Sequence, residues 1–121
     1  MSRIVFCEDD EMIRKLIQTA LRGTTHQVRF APNGAAGLEL IAADPPDVVF
    51  TDVSMPEMDG FQLADTLKAR PDLAHIPIIF MTASVQRDQI DECFRHGAAG
   101  HVAKPFTMAE LRARVAQFAK S

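Results

Sequence analysis

The chain has 121 residues, of which 47% are hydrophobic, and carries a formal net charge of -3. This composition fits one globular domain with a buried core and excludes a disordered chain. No apolar run approaches the roughly 20 residues that span a bilayer, and the start of the chain has no leader-like pattern. We therefore expect a cytoplasmic protein without a membrane partner. The lack of a Lys/Arg block argues against direct binding of nucleic acid.

Short apolar runs alternate with apolar stripes at helical spacing along the whole chain. The runs predict five β-strands, because they are short, rich in β-forming residues and bounded by turn residues. The strands are expected at residues 3–7, 27–31, 47–51, 76–82 and 100–103. The helices are expected from Met12 to a stop at Gly23, from Asn33 to a stop before Pro45, over 60–70, from Ser84 to Gly97, and behind a capping box at 107–110.

This alternation predicts right-handed βαβ units, which build one parallel sheet with helices on both faces. We therefore expect an α/β protein with a doubly wound, flavodoxin-like (βα)5 fold, strand order 2-1-3-4-5, and a single domain over residues 1–121. Cys7 and Cys93 are isolated in the sequence and form no CxxC motif. Both are expected to be reduced, buried thiols.

Ionisable and hydroxyl side chains lie at the ends of four predicted strands. In a doubly wound sheet, ligands bind beyond the carboxyl ends of the strands. The residues expected there are Glu8 and Asp9 after the first strand, Asp52 after the third, Thr82 at the end of the fourth and Lys104 after the fifth. Three carboxylates in one pocket repel one another unless cations intervene, and Lys104 supplies one positive charge. The constellation therefore predicts a Mg²⁺ ion and a phosphoryl group, with Asp52 as the nucleophile.

Neighbouring acids have ordinary structural roles in this interpretation. Asp10 is expected in the exposed first turn of the first helix, where a negative charge suits the helix dipole. Glu57 and Asp59 are expected to be a loop residue and a helix cap after Asp52. Taken alone, Asp52 could also be a cap or a solvated loop acid, and its coincidence with the other polar strand ends favours the reactive role.

Four motifs in this order resemble the receiver domain of bacterial two-component response regulators, in its single-domain, chemotaxis-regulator-like form. They are Glu8-Asp9, "DVSMPEMDG" at 52–60, "MTA" at 81–83 and "KPF" at 104–106. The resemblance covers essentially the whole chain. It implies a phosphorelay switch and not an enzyme with turnover. In such a switch Asp52 accepts a phosphoryl group, Thr82 and Lys104 contact its oxygens, and the protein assists its own phosphorylation and dephosphorylation.

The resemblance also implies a ligand set for the metal. Mg²⁺, for which Mn²⁺ can substitute, would be held by Asp9, Asp52 and the backbone carbonyl of Ser54. Glu8 would act on the metal through a bound water. The Lys104–Pro105 peptide bond is expected to be cis.

Partners and regulation follow from the same resemblance. A histidine kinase or a histidine phosphotransfer protein would supply the phosphoryl group, and acetyl phosphate can serve as a small donor. Phosphorylation would alter the surface formed by residues 84–120, and so change the binding of a downstream protein or form a dimer. Thr82 and His101 would relay this change. His101 stands where the family usually has Tyr or Phe, which predicts weaker or pH-sensitive coupling. Ser54 and Ser84 would tune the lifetime of the phosphoryl group.

Three alternatives fit the sequence less well. A phosphatase of the haloacid dehalogenase type would place a DxD motif at the first strand, and a flavin binder would place a Ser/Thr/Gly loop after it, where this chain has acids. A receiver-like module that takes no phosphate would lack one of the acids, the threonine or the lysine. The native-looking Met1 and the finished last helix favour a stand-alone regulator over a fragment of a longer protein.

Overall fold

The computed structural model describes residues 2–83 and 86–119, which alternate between strand and helix. The strands are β1 (Arg3–Cys7), β2 (Gln27–Ala31), β3 (Val48–Asp52), β4 (Ile78–Thr82) and β5 (Gly100–Ala103). The helices are α1 (Glu11–Leu21), α2 (Gly34–Ala43), α3 (Gly60–Lys68), α4 (Arg87–Arg95) and α5 (Met108–Phe118). None of these helices is long and apolar enough to cross a bilayer.

All five strands pair in parallel within one sheet, in the order β2-β1-β3-β4-β5. The chain therefore winds in one direction from β1 to β2 and in the other from β3 to β5, which puts helices on both faces of the sheet. The predicted α/β fold and strand order are confirmed. Cys7 pairs with Thr51, so the carboxyl ends of β1 and β3 lie side by side at the switch in direction.

A hydrophobic layer lies on each face of the sheet. On the face covered by α1 and α5, Phe6 stacks on Phe50 with 4.9 Å between ring centroids. On the face covered by α2, α3 and α4, Phe61 meets Phe80 edge-on at 5.2 Å. Full burial of a phenylalanine side chain, as at Phe6, Phe50 and Phe80, contributes about 2–3 kcal/mol. Because the strands are packed on both faces, they hold the loops at their carboxyl ends in fixed positions.

Both cysteines are free and buried, as predicted. Burial raises the pKa of the Cys7 thiol to about 12, against a smaller lowering by its hydrogen bond with Thr51. Burial also raises the pKa of Cys93. A thiol in this state is a poor nucleophile and a poor metal ligand.

Three strand boundaries differ from the predicted ones. β3 begins at Val48 and not at residue 47. It extends to Asp52, one residue beyond the prediction, because Asp52 pairs with Met81 of β4. β4 begins at Ile78 and not at residue 76. Pro77 has no N–H to donate to a ladder, so the strand begins after it.

The third helix is shorter than predicted. α3 ends at Lys68 and not at residue 70, because the N–H of Arg70 bonds to the carbonyl of Leu67 in a tighter turn. The predicted start of the fourth helix at Ser84 lies outside the described residues, and α4 is seen from Arg87 onward.

Side-chain caps start four of the five helices, α1, α2, α3 and α5, next to the carboxyl edge of the sheet. Asp10 is the N-cap of α1, where its carboxylate accepts the N–H of Met12 at 2.8 Å. The predicted position of Asp10 within the first turn of the helix is therefore wrong, because the residue directly precedes that turn. Asn33, from which the second helix is predicted to start, is the N-cap of α2. Capping boxes of Asp59 with Gln62 and of Thr107 with Glu110 start α3 and α5. Each cap satisfies N–H groups that have no partner within the helix.

Candidate functional site

The carboxyl edge of the sheet brings together side chains from three strands. Glu8 and Asp9 follow β1, Asp52 ends β3 and Lys104 follows β5. One carboxylate oxygen from each of Glu8, Asp9 and Asp52 lies within 4.8 Å of the other two. Glu8 and Lys104 are 96 positions apart in the sequence, so the fold creates the cluster. The predicted convergence of acids is present in the structure.

Lys104 bonds to two of these carboxylates. Its Nζ atom donates to Glu8 Oε1 at 2.6 Å and to Asp52 Oδ2 at 2.9 Å. Burial lowers the pKa of Lys104, but the hydrogen bonds and charges of Glu8 and Asp52 outweigh burial and leave the pKa raised. The lysine is therefore held as a cation beside Asp52.

Glu8 is the most enclosed of the three acids, with 0% of its surface exposed. Burial raises its pKa, and the charge of Asp52 acts in the same direction. The hydrogen bonds from Lys104 and from the backbone N–H of Asp10 oppose this rise. The latter bond, to Oε2 at 3.1 Å, leaves both carboxylate oxygens of Glu8 engaged.

Asp9 and Asp52 are the more accessible acids. Asp9 is exposed and Asp52 is half-buried. The three acids offer only hard oxygen donors, and one cation beside them leaves negative charge in excess. Mg²⁺ favours such donors and usually takes one or two carboxylates while it keeps several waters. The donor set and its spacing fit a divalent cation of this kind.

Arg14 supports the site from α1, and sequence reasoning missed it. Its Nη1 atom donates to the backbone carbonyl of Glu8 at 2.7 Å. This bond ties the first helix to the peptide that carries Glu8 and Asp9. The only sequence signal was an arginine on a helix just after the acids, which is equally typical of a solvated helix face.

The loop after Asp52 folds back on the strand that it leaves. The N–H of Gly60 donates to the carbonyl of Val53 at 2.8 Å. A Cβ atom at Gly60 would lie 2.1 Å from the carbonyl oxygen of Asp52, so only glycine fits there. The same loop contacts α2, because the N–H of Gly34 donates to the carbonyl of Met58 at 2.9 Å. These contacts fix the backbone around the phosphoacceptor candidate.

Glu57 and Asp59 take the structural roles predicted for them. Glu57 lies in the loop with a φ of 67°. Asp59 is the N-cap of α3. Neither belongs to the described acidic cluster, which consists of Glu8, Asp9 and Asp52.

The remaining predicted site residues lie around this pocket. Thr82 is buried at the end of β4, and its carbonyl accepts the N–H of Lys104 at 2.8 Å. The Lys104–Pro105 peptide bond is cis. Ser54 is exposed in the loop after β3. Ser84 lies outside the described residues.

His101 lies on β5, the edge strand of the sheet, and is half-buried. It pairs with Phe80 across the ladder and meets the ring of Phe94 edge-on at 6.2 Å. Phe94 belongs to α4 and is 47% exposed. The imidazole thus lies between the sheet and an exposed aromatic ring on α4.

The three other histidines lie outside the acidic cluster of Glu8, Asp9 and Asp52. His75 is exposed, and His26 is half-buried and accepts the N–H of Ser2 at 3.2 Å. His96 is half-buried and stacks on Phe61 with 4.4 Å between ring centroids. Its two ring nitrogens face two carboxylates, which a reading of the sequence around residue 96 could not reveal.

Comparison with known proteins agrees with this geometry. A family model described as the response regulator receiver domain matches residues 4–116. The transcriptional regulatory protein RprY of Bacteroides fragilis is 39% identical over 113 residues, which are 93% of this chain and 47% of RprY, so this chain spans about half the length of that relative. The chemotaxis protein CheY-3 of Vibrio cholerae is 31% identical over 114 residues, which are 93% of this chain and 88% of CheY-3. The solved structure of the chemotaxis response regulator CheY4 of Vibrio cholerae superposes with a TM-score of 0.92 at 24% identity, covering 98% of each chain.

Proposed function

The chain belongs to the response regulator receiver domain family and is a phosphate-accepting signalling switch of two-component systems; from that premise we propose that Asp52 is its phosphoacceptor. The observation that carries this assignment is the position of Lys104 Nζ, 2.9 Å from Asp52 and 2.6 Å from Glu8. It puts a fixed cation beside one accessible carboxylate at the edge of the sheet. We assign residues 1–121 to one receiver domain that acts in the cytoplasm.

The chemistry that these residues support is transfer of a phosphoryl group to a carboxylate. An Asp52 oxygen attacks phosphorus, and a new O–P bond forms while the bond to the donor breaks. With a phosphohistidine donor the broken bond is P–N, and the imidazole of the donor leaves. With acetyl phosphate it is P–O, and acetate leaves. Lys104 and the Thr82 hydroxyl are the proposed donors to the phosphoryl oxygens, where fixed donors stabilise developing charge.

Mg²⁺ is the proposed cofactor, and Mn²⁺ a substitute for it. The proposed ligands are Asp9, Asp52 and the carbonyl of Ser54. Because both oxygens of Glu8 already accept hydrogen bonds, a water-mediated role suits Glu8 better than a direct one. When bound, the metal supplies neutralisation of phosphoryl charge. Response regulator Rcp1, which shares the fold at a TM-score of 0.81 and 22% identity, has a structure in a Mn²⁺-bound form, and this supports a divalent cation here.

Substitution of Asp9 by asparagine tests the metal site against a neighbouring control. Asp9→Asn is expected to lower Mg²⁺ affinity by at least roughly tenfold, a loss that even an outer partner of a metal site can cause. It should also slow phosphorylation by acetyl phosphate. Asp10→Asn removes a charge one residue away but retains the helix cap, since Asn caps as well as Asp. Titration calorimetry with Mg²⁺ should therefore separate the two variants, and equal affinities in both would contradict the assignment.

Dephosphorylation is the second reaction that the site is proposed to assist. Water attacks the acyl phosphate at Asp52, and the side chains that flank it set the access of that water. We assign this role to Ser54, which is exposed two residues after Asp52, and to Ser84. A series of larger side chains at Ser54 should change the decay rate of the phosphorylated protein, and identical decay across the series would exclude the role.

The proposed partners are a histidine kinase or histidine phosphotransfer protein as donor, and a downstream protein as target. The proposed output surface consists of α4, β5 and α5, where phosphorylation alters target binding or forms a dimer. Exposed Phe94 and half-buried His101 lie on it and touch each other. Phosphorylation acts on such a surface only if its two conformations differ in affinity for the partner. We propose that Thr82 and His101 are the relay, which transmits the effect of phosphorylation at Asp52 to this surface.

The relay can be observed directly because the chain contains no Trp and no Tyr. In the His101→Tyr variant, the introduced phenol is the only strong intrinsic emitter. Its emission is expected to change when acetyl phosphate and Mg²⁺ are added, while phosphorylation at Asp52 persists. The change should vanish when Asp52→Asn is added. His75→Tyr, at an exposed position before β4, is the matched control and should stay constant. Constant emission from His101→Tyr would remove His101 from the relay.

A further inference from the structure

His96 forms a bridge between two helices on the side of the sheet opposite α1 and α5. It is the C-cap residue of α4. Its Nδ1 atom lies 2.7 Å from Asp65 Oδ1 on α3, and its Nε2 atom lies 3.1 Å from Glu92 Oε1 on α4. The imidazole plane stacks on Phe61 of α3 with an interplanar angle of 13°. The side chain is 23% exposed, so the ring is largely covered while the carboxylates remain reachable by water.

Both ring nitrogens of His96 can donate a hydrogen bond only when the imidazole is protonated. A neutral imidazole has one N–H and can donate to one carboxylate, and its other nitrogen then turns a lone pair toward the second carboxylate. An imidazolium donates to both. We propose that His96 is a proton-operated latch, which binds α4 to α3 when it is charged and loosens their contact when it is neutral. The latch does not depend on which residue accepts the phosphoryl group.

The charged groups around the ring agree with this role. From α3, Asp65 faces the ring, and its hydrogen bond raises the pKa of His96. Burial acts in the opposite direction, and the bond to Glu92 adds to the rise. Also on α3, Lys68 packs near Gly97, but its Nζ atom donates to the carbonyls of Ala74 and Ile76 and so turns away from the ring.

On α4, Arg95 binds the other oxygen of Glu92, leaving Oε1 for His96. The hydrogen bond from Arg95 lowers the pKa of Glu92 and so favours its ionised form. Asp88 and Asp91 are near enough to act on Arg95. From β4, the residue behind the stacked pair is the uncharged Phe80.

The pH window of the latch follows from the raised pKa of His96. Since the folded value lies above the ordinary histidine value of about 6.5, the folded protein binds the proton more tightly than the unfolded chain does. The stabilisation is fully present below the ordinary value and is lost as pH rises through the folded pKa of His96.

The latch acts on α4, a helix that buries few side chains. Within α4, which is fully described, Cys93 is the only buried side chain. A pocket of about 290 Å³ lies beside this contact, and Thr82 of β4, Phe61 of α3, and Glu92 and Cys93 of α4 are among the residues that line it. Since His96 contacts Phe61 and Glu92, the latch lies beside the same pocket that Thr82 lines. Loss of the proton at His96 should increase the mobility of α4 beside that residue.

Two measurements on the intact protein test the latch. Nuclear magnetic resonance titration of the imidazole should give a midpoint for His96 above the ordinary value, and each unit of excess is a tenfold change in the latch equilibrium. Asp65→Asn and Glu92→Gln should each lower this midpoint. Hydrogen exchange of the α4 amides, corrected for intrinsic rates, should become faster as pH rises through the midpoint.

Controls separate the latch from general effects of pH. In His96→Gln, protection of α4 should no longer change through this pH range, whereas His75→Gln should behave as the unmodified protein does. Asp65→Asn retains the histidine and alters an exposed residue, so it gives a result even if His96→Gln mispacks. The proposal would be overturned by a titration midpoint of His96 at or below the ordinary histidine value. It would also be overturned if the protection of the α4 amides from exchange did not change as pH passes through that midpoint.

Discussion

Lys104→Met is expected to lower the free energy of unfolding by about 3 kcal/mol, the scale for breaking one side of a buried ion pair. Methionine keeps the length and apolar stem of the lysine but removes its charge. Glu8, which is fully buried, and Asp52, which is half-buried, then face each other without the cation that bonds to both. The phosphorylation rate with acetyl phosphate should also fall roughly 100-fold, as for loss of one fixed donor to a developing negative charge.

A second lysine provides the control for this prediction. Lys15 pairs with Glu11 at 3.9 Å on the exposed face of α1, with 72% and 73% of the side chains accessible. Such a pair contributes little, so Lys15→Met should change the free energy of unfolding by less than about 0.5 kcal/mol. Urea unfolding and phosphorylation assays of both variants check the prediction. Equal effects of the two substitutions would show that Lys104 does not have the role assigned to it.

Gly60→Ala is expected to be the most damaging single-methyl change near the site. The added Cβ would lie 2.1 Å from the carbonyl oxygen of Asp52, and the atoms that must give way belong to backbone. Relief requires moving either the start of α3 or the end of β3, at about 1–3 kcal/mol for an overpacked position. Movement at β3 displaces Asp52 itself. We therefore expect both a lower unfolding midpoint in urea and slower phosphorylation.

Gly23→Ala separates this clash from ordinary glycine effects. Gly23 has a φ of +87°, and no atom lies within 4 Å of the place that a Cβ would take. Alanine there meets conformational strain of about 1–2 kcal/mol without a clash. Gly23 lies at the end of α1, away from Asp52, so the substitution should leave phosphorylation unchanged. If Gly60→Ala is phosphorylated at the normal rate, the loop does not position the acceptor as the structure indicates.

The predictable part of this protein follows from two local rules. Short apolar runs that alternate with helical stripes define the βα units, and the rule that ligands bind beyond the carboxyl ends of parallel strands selects Glu8, Asp9, Asp52 and Lys104. Both rules depend on residues close to one another in the chain, plus a known sheet topology. The exact ends of the strands were less predictable, because they depend on pairing with a neighbouring strand. Asp52 belongs to β3 because it pairs with Met81 of β4, and β4 begins only after Pro77, which has no N–H for the ladder.

The unpredicted part consists of long side chains that reach between elements. His96 meets Asp65 across 31 positions of sequence, and the periodicity of either helix says nothing about that distance. Arg14 binds a backbone carbonyl, which has no sequence signature at all. The engagement of both oxygens of Glu8 likewise became visible only with the geometry of the turn after β1. Packing between helices decides these contacts.

Locating the phosphoryl group tests the central claim most directly. The protein is treated with acetyl phosphate and Mg²⁺, the acyl phosphate is reduced with borohydride, and the modified residue is identified by peptide mass spectrometry. The account predicts conversion of Asp52 alone to homoserine, and no conversion in Asp52→Asn. Modification of Glu8, Asp9 or another residue in place of Asp52, or phosphorylation that persists in Asp52→Asn, would contradict it.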